Sequence, residues 1–129
     1  MTPDSSLGDA IQIKSRVISL RLPKALSTCL ERSSGSAKLS LPGGLDLLLR
    51  CSFSNCELLA QLKDCPDLWD AKLDARIPVS TFLQLKFACQ RIGISISVYI
   101  RRLLYHFYAT KKLKIVESNG HYTLAYRHD

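Results

Sequence analysis

The sequence predicts an α+β protein, mainly helical, built of two tandem strand–helix–helix units followed by a C-terminal β-hairpin. Three observations predict it. Arg21-Leu22-Pro23 and Arg76-Ile77-Pro78 lie 55 residues apart, and each closes a short alternating run. After each proline, apolar residues recur at helical spacing in two stretches, the second opened by Ser40 or Ser95. Finally, Asn119-Gly120 sits between two alternating runs, the strongest short-range hairpin signal.

The second unit is the clearer one. In Lys72-Leu73-Asp74-Ala75-Arg76-Ile77 polar and apolar residues alternate, which gives a strand one wet and one buried face. Pro78 ends it. Phe82, Leu85, Cys89 and Ile92 predict a helix over Thr81–Ile92, with Gly93 at the C-cap position. Ser95 is a good N-cap for a second helix, whose apolar stripe is Ile96, Ile100, Leu103, Leu104 and Phe107.

This order of strand, proline, helix, Gly93-Ile94-Ser95 turn and helix resembles the ribbon-helix-helix superfamily, the Arc and MetJ kind of β-ribbon DNA reader. The match rests on spacing and pattern and covers roughly a third of the chain.

The first unit is a diverged copy. The 55-residue offset pairs Leu30 with Leu85, Ser40 with Ser95, Leu41 with Ile96, Leu45 with Ile100, Leu48 with Leu103, Leu49 with Leu104 and Phe53 with Tyr108, without a gap. Its strand lies at 17–22. Its first helix is expected at about Lys24–Ser33, because Ser33-Ser34-Gly35-Ser36 is a helix-breaking composition. Its second helix opens on Pro42-Gly43-Gly44, where each glycine costs on the order of 1 kcal/mol against alanine. A short first helix and a long turn are expected.

Between the copies, Glu57–Lys63 reads as a short helix with Leu58, Leu59 and Leu62 on one side. A turn at Asp64–Asp67 follows, then Leu68-Trp69 covering a core edge. The connector can span about 60 Å when extended, ample for the second strand to return beside the first. In the hairpin, Ile115 faces Leu124 and Leu113 faces Tyr126, with Lys114, Val116, Thr123 and His121 on the other side. Two strands alone are barely stable, so the apolar side should dock on the helices or on a second subunit. The organisation is a flexible arm at 1–13, unit 1 at 14–54, a connector at 55–71, unit 2 at 72–110 and the hairpin at 111–129.

Composition sets the class. The 129 residues are 47% apolar and 22% charged, a globular balance. Apolar runs are too short for a membrane span, and the N-terminus lacks a basic-then-apolar leader. Five cysteines, an odd number, fit a cytoplasmic protein with reduced thiols. The net charge of +7 is uneven. Residues 72–112 carry eight Lys/Arg and one Asp/Glu, whereas residues 56–71 carry one and four. The basic excess on the second unit favours a polyanionic partner.

The resemblance implies two units whose strands pair antiparallel and whose helices interlock, here within one chain. Placing Ser19 opposite Asp74 puts Val17 opposite Arg76 and Arg21 opposite Lys72. These six side chains then share the face away from the helices, while Ile18, Leu20, Leu22, Leu73, Ala75 and Ile77 turn inward. A two-stranded ribbon fits the roughly 12 Å major groove of double-stranded DNA. Val17, Ser19, Arg21, Lys72, Asp74 and Arg76 are therefore the base-contacting candidates. Arg21 and Arg76 suit guanine, Asp74 suits cytosine N4, and Lys72 suits guanine or phosphate. The strands differ, so the half-site is not a perfect palindrome. The plain alternatives are surface arginines and an Asp74 that orients Arg76 by a salt bridge.

Phosphate contacts are expected at the N-termini of the second helices, from Ser40 with Lys38 in unit 1 and from Ser95 with Ser97 in unit 2. The alternative is simple capping, which is compatible with it. No nucleophile–base pair, P-loop or paired acidic motif is present, so no catalysis, cofactor or metal is assigned. Zinc on Cys51, Cys56 and Cys65 is the weakest alternative. Two uses follow from the resemblance: transcriptional regulation, and plasmid transfer, since the tandem single-chain layout is similar to TraY-type conjugation accessory proteins of the relaxosome. A third reading is an antitoxin- or inhibitor-like interaction module that has lost DNA binding. A second copy or another protein is expected to meet the C-terminal hairpin.

Overall fold

A computed structural model describes residues 14–126. The arm expected at 1–13 and the last three residues of the hairpin segment lie outside the described residues. The chain is α+β, with two small antiparallel sheets of two strands each. In chain order it runs β1 (Ser15–Leu22), α1 (Lys24–Ser36), α2 (Leu41–Ser52), a 3₁₀ turn (Phe53–Asn55), α3 (Cys56–Gln61), β2 (Ala71–Pro78), α4 (Val79–Ile92), α5 (Ile96–Leu104), a π-helical turn (Tyr105–Thr110), β3 (Leu113–Ser118) and β4 (His121–Tyr126).

Strands β1 and β2 pair antiparallel with Ser19 opposite Asp74, Val17 opposite Arg76 and Arg21 opposite Lys72. This register keeps the apolar side chains of both strands on one face; a slip by one residue would turn those of one strand to water. Ile18, Leu20, Leu22, Leu73, Ala75 and Ile77 are all buried. They form one core with Leu26 and Leu30 of α1, Leu45, Leu48 and Leu49 of α2, Leu85 and Cys89 of α4, and Tyr99, Ile100, Leu103 and Leu104 of α5.

Pro23 and Pro78 each stand at an N-cap in extended backbone, and α1 and α4 start at the next residue. Gly93 caps α4 in the left-handed region with φ 75°. The Oγ atoms of Ser40 and Ser95 cap α2 and α5, accepting the N–H groups of Gly43 and Val98 at 3.1 Å each.

Four expectations need correction. Helix α1 does not stop at Ser33 but runs to Ser36. Ser33 and Ser34 are buried, and tertiary packing overrides their weak propensity. Leu58 is 45% exposed while Leu59 is buried, so the short helix α3 turns only part of its leucine face inward. Leu68 is 81% exposed and covers no core edge. The hairpin pairs Ile115 with Leu124 and Leu113 with Tyr126 as expected. However, only β3 docks: Ile115 is buried and its N–H donates to Ser33 Oγ at 3.3 Å, while Leu124 and Tyr126 stay exposed.

Candidate nucleic-acid interface

An antiparallel ribbon has a local two-fold axis through any of its facing pairs. An axis through Ser19 and Asp74 carries each residue of β1 onto the residue 55 positions later in β2. That shift is the repeat offset of the sequence. It also holds beyond the strands: α1 starts at Lys24 and α4 at Val79, α2 at Leu41 and α5 at Ile96. The axis therefore carries Arg21 onto Arg76, Val17 onto Lys72 and Ser19 onto Asp74. The helices that follow each strand put their apolar faces on a common core with the ribbon.

The outer face carries the six candidate side chains, all exposed. At its centre Ser19 Oγ donates to Asp74 Oδ1. Lys72 Nζ lies 3.8 Å from Asp74 Oδ2, with both side chains at least half exposed. Asp74 thus pairs with Lys72, the residue two positions along its own strand, and not with Arg76 as expected. Arg76 instead donates from Nη1 to Ser15 Oγ at 3.1 Å. The Lys72–Asp74 pair stands open to water, where such pairs contribute little stability and exchange readily for other partners. Arg21 and Lys72 face each other at one end, and Val17 and Arg76 at the other. One end is thus doubly cationic and the other pairs one cation with an apolar side chain.

At the second-helix N-termini, Ser40 and Ser95 are exposed caps and Ser97 is half-buried. The two termini are unequal. Pro42 has no N–H, so α2 offers one backbone donor fewer in its first turn than α5. Lys38, exposed two residues before Ser40, sits in left-handed backbone with φ 62°.

The basic excess of residues 72–112 is not all outward. Arg101 is only 6% exposed. Its Nε and Nη2 each lie 3.4 Å from Asp64 carboxylate oxygens, its Nη1 donates to the Arg21 carbonyl at 3.1 Å, and its guanidinium stacks 3.6 Å from the Trp69 ring centroid. Arg102 Nη1 donates to the Leu59 carbonyl at 2.8 Å. Arg91 pairs with Glu57, and the Asp70 carboxylate accepts the Lys24 N–H at 2.9 Å. A backbone hydrogen bond and then the Arg91 guanidinium hold the Glu57 carboxyl below the ordinary range. The acidic connector is the internal counterpart of part of the basic segment. Sequence reading missed this role of Arg101 and Arg102, although the opposite charges of 56–71 and 72–112 were the available signal. Arg101 also ties the connector to the end of β1 that bears Arg21.

All five cysteines are free thiols, with Cys51 exposed and Cys56, Cys65 and Cys89 buried. Burial pushes the Cys89 thiol up to about 11 and raises that of Cys65, away from the reactive thiolate form at neutral pH. Among the described residues no group of three or more His, Cys, Asp or Glu side chains is placed to hold a metal ion. Among the same residues no helix is long and apolar enough to cross a membrane. The chain matches no protein-family model, no curated protein and no solved structure.

Proposed function

We propose that this chain is a tandem ribbon-helix-helix protein that binds double-stranded DNA sequence-specifically, laying the outer face of β1 and β2 in the major groove, and that it regulates transcription. The observation that carries this reading is the coincidence of ribbon register and repeat offset, which puts Arg21 and Arg76 at symmetric outward positions around one axis. A two-stranded ribbon has the width the groove admits, and arginine is the side chain best suited to guanine edges there. In this reading Arg21, Lys72 and Arg76 read guanines, Val17 meets a thymine methyl, and Ser19 with Asp74 reads the central pair. Ser95, Ser97, Ser40 and Lys38 hold phosphates and set the register, without specifying bases.

Transcriptional regulation is the commonest use of the family this chain resembles. The tandem single-chain layout also favours use at a plasmid transfer origin, by the same contacts on a different target. The exposed Leu83 and Phe87 on α4 favour an interaction module instead.

Selection of bound duplexes from random DNA, followed by salt titration of the winner, decides between these classes. The expected outcome is a defined, imperfectly palindromic site whose affinity falls steeply as salt rises, because phosphate contacts release counterions. Arg76→Ala should then lose about 1–3 kcal/mol of discrimination at one base position while folding normally. Equal loss on every sequence would assign Arg76 to phosphate. Absence of duplex binding at low salt would overturn the proposal in favour of the interaction module.

A further inference from the structure

The hairpin β3–β4 is half covered. Asn119 and Gly120 both take positive φ, 51° and 80°, the two-residue turn that makes Ser118 and His121 a hydrogen-bonded pair. Hydrogen-bonded pairs then alternate along the ladder: Val116 with Thr123, and Lys114 with Ala125. The backbone groups of Ile115 fall between these pairs and point off the β3 edge, where Ile115 N–H donates to Ser33 Oγ. By the same alternation, the N–H and C=O groups of Tyr122, Leu124 and Tyr126 point off the β4 edge.

Among the described residues, that edge carries no charge, proline or bulge of the kind that keeps edge strands apart. From His121 to Tyr126 there is no Lys, Arg, Asp, Glu or Pro, and the register runs without a bulge. The side chains of Tyr122, Leu124 and Tyr126 share one face and stay exposed, Tyr126 at 67%.

We propose that β4 pairs antiparallel with β4 of a second copy of this chain, joining two hairpins into one four-stranded sheet about a two-fold axis at Leu124. The edge is self-complementary in that arrangement. Leu124 faces Leu124, Tyr122 faces Tyr126, and every outward N–H meets an outward C=O. No like charges oppose each other along the strand. Growth through the β3 edge is opposed by helix α1, whose Ser33 Oγ already holds the Ile115 N–H at the middle of that edge. A six-residue edge pair is a small interface, so the association is weak and depends on concentration.

The test uses the full chain without DNA, so its outcome is independent of the DNA-binding proposal. Sedimentation equilibrium should show the mass rising from one chain toward two as concentration increases. Leu124→Lys sets two ammonium groups against each other at the axis. Leu124→Pro removes an outward N–H that β3 does not use. Each should raise the dimer dissociation constant by about tenfold or more. Hydrogen exchange on the unaltered chain should show the amides of Tyr122, Leu124 and Tyr126 gaining protection with concentration. One-chain mass throughout, a dimer that both variants leave undiminished, mass growing beyond two chains, or exchange at those amides independent of concentration would each overturn the proposal.

Discussion

A β-carbon placed on Gly44 would stand 2.7 Å from the β-carbon of Ser34 and would overlap its Oγ. Helices α1 and α2 cross at this point, with Gly44 and Ser34 both buried and the serine wholly so. Gly44→Ala should therefore destabilise the fold by about 1–3 kcal/mol, the usual cost of overpacking, although alanine is the better helix former. Ser34→Gly removes both offending atoms and leaves the Ser34 Cα at 3.5 Å, an ordinary contact. The double variant should then lose less than the two single variants together. Urea unfolding of the four proteins measures the coupling, and strict additivity would show that the crossing does not depend on this pair.

That crossing also marks where the sequence was legible and where it was not. The strands, their register and both N-caps followed from alternation, from the two prolines and from Ser40 and Ser95, all local signals. The run Ser33-Ser34-Gly35-Ser36 and the pair Gly43-Gly44 read as helix-breaking by local propensity. In the fold, the small residues Ser34 and Gly44 let two helix backbones approach, a long-range reason that no window of sequence displays. The role of Arg101 is hidden for the same reason. As one of eight cations in a basic segment it looked like part of a surface, yet its partners Asp64, Trp69 and the Arg21 carbonyl come from distant parts of the chain. The outward placement of Arg21, Asp74 and Arg76 was legible because a strand has a period of two. The pairing of Asp74 with Lys72 in preference to Arg76 depends on side-chain conformation and was not.

Lys38 and Gly93 are equivalent under the 55-residue offset, and both take left-handed backbone, with φ 62° and 75°. One hydrogen bond matches too: Leu39 N–H reaches the Ser34 carbonyl at 2.8 Å and Ile94 N–H the Cys89 carbonyl at 3.1 Å, whereas Lys38 N–H turns to the Gly35 carbonyl and Gly93 N–H to that of Cys89. Both first helices are followed by a left-handed residue at this position, but unit 1 forces a lysine into the conformation that glycine adopts without strain. Lys38→Gly should stabilise the fold by about 1 kcal/mol. If Lys38 also touches phosphate, the same variant should bind the selected duplex more weakly and with a salt slope smaller by about 1. Thermal unfolding and salt titration read the two effects separately, and a lower melting temperature would show that glycine gains nothing there.

Alkaline pH should unfold the protein through its buried acids. Burial pushes the Cys89 thiol from 9 to about 11 and the Tyr99 hydroxyl from 10 to about 12. In the fold both groups are held in their neutral forms, while the unfolded chain ionises them first. Their contribution to stability is thus complete below pH 9 and is lost as pH climbs toward 12. Tyr99→Phe removes the tyrosine's share. It costs about 1 kcal/mol at neutral pH, because the 2.7 Å hydrogen bond between Ser52 Oγ and Tyr99 Oη is lost. The urea midpoint of Tyr99→Phe should then fall less steeply above pH 10 than that of the unaltered chain. Parallel curves would mean that Tyr99 ionises as easily in the fold as out of it.

Asp74 is the one carboxylate among the six side chains proposed to enter the groove, and its partners are Ser19 and Lys72. A negative charge there opposes the phosphates on every duplex and occupies a lysine that could otherwise meet them. Asp74→Asn keeps an oxygen for Ser19 and removes the charge. It should tighten binding to random duplex, by about 1 kcal/mol at low salt, with the gain shrinking as salt screens it. If the carboxylate also accepts from a cytosine N4, the same change should cost about 1–3 kcal/mol of discrimination at that base pair, because asparagine presents a donor beside its acceptor. The variant would then bind DNA more tightly in general and choose less well. Competition of selected against random duplex at two salt concentrations measures both quantities. Unchanged affinity for every duplex would place Asp74 outside the interface and would turn the search for DNA contacts to another face of the molecule.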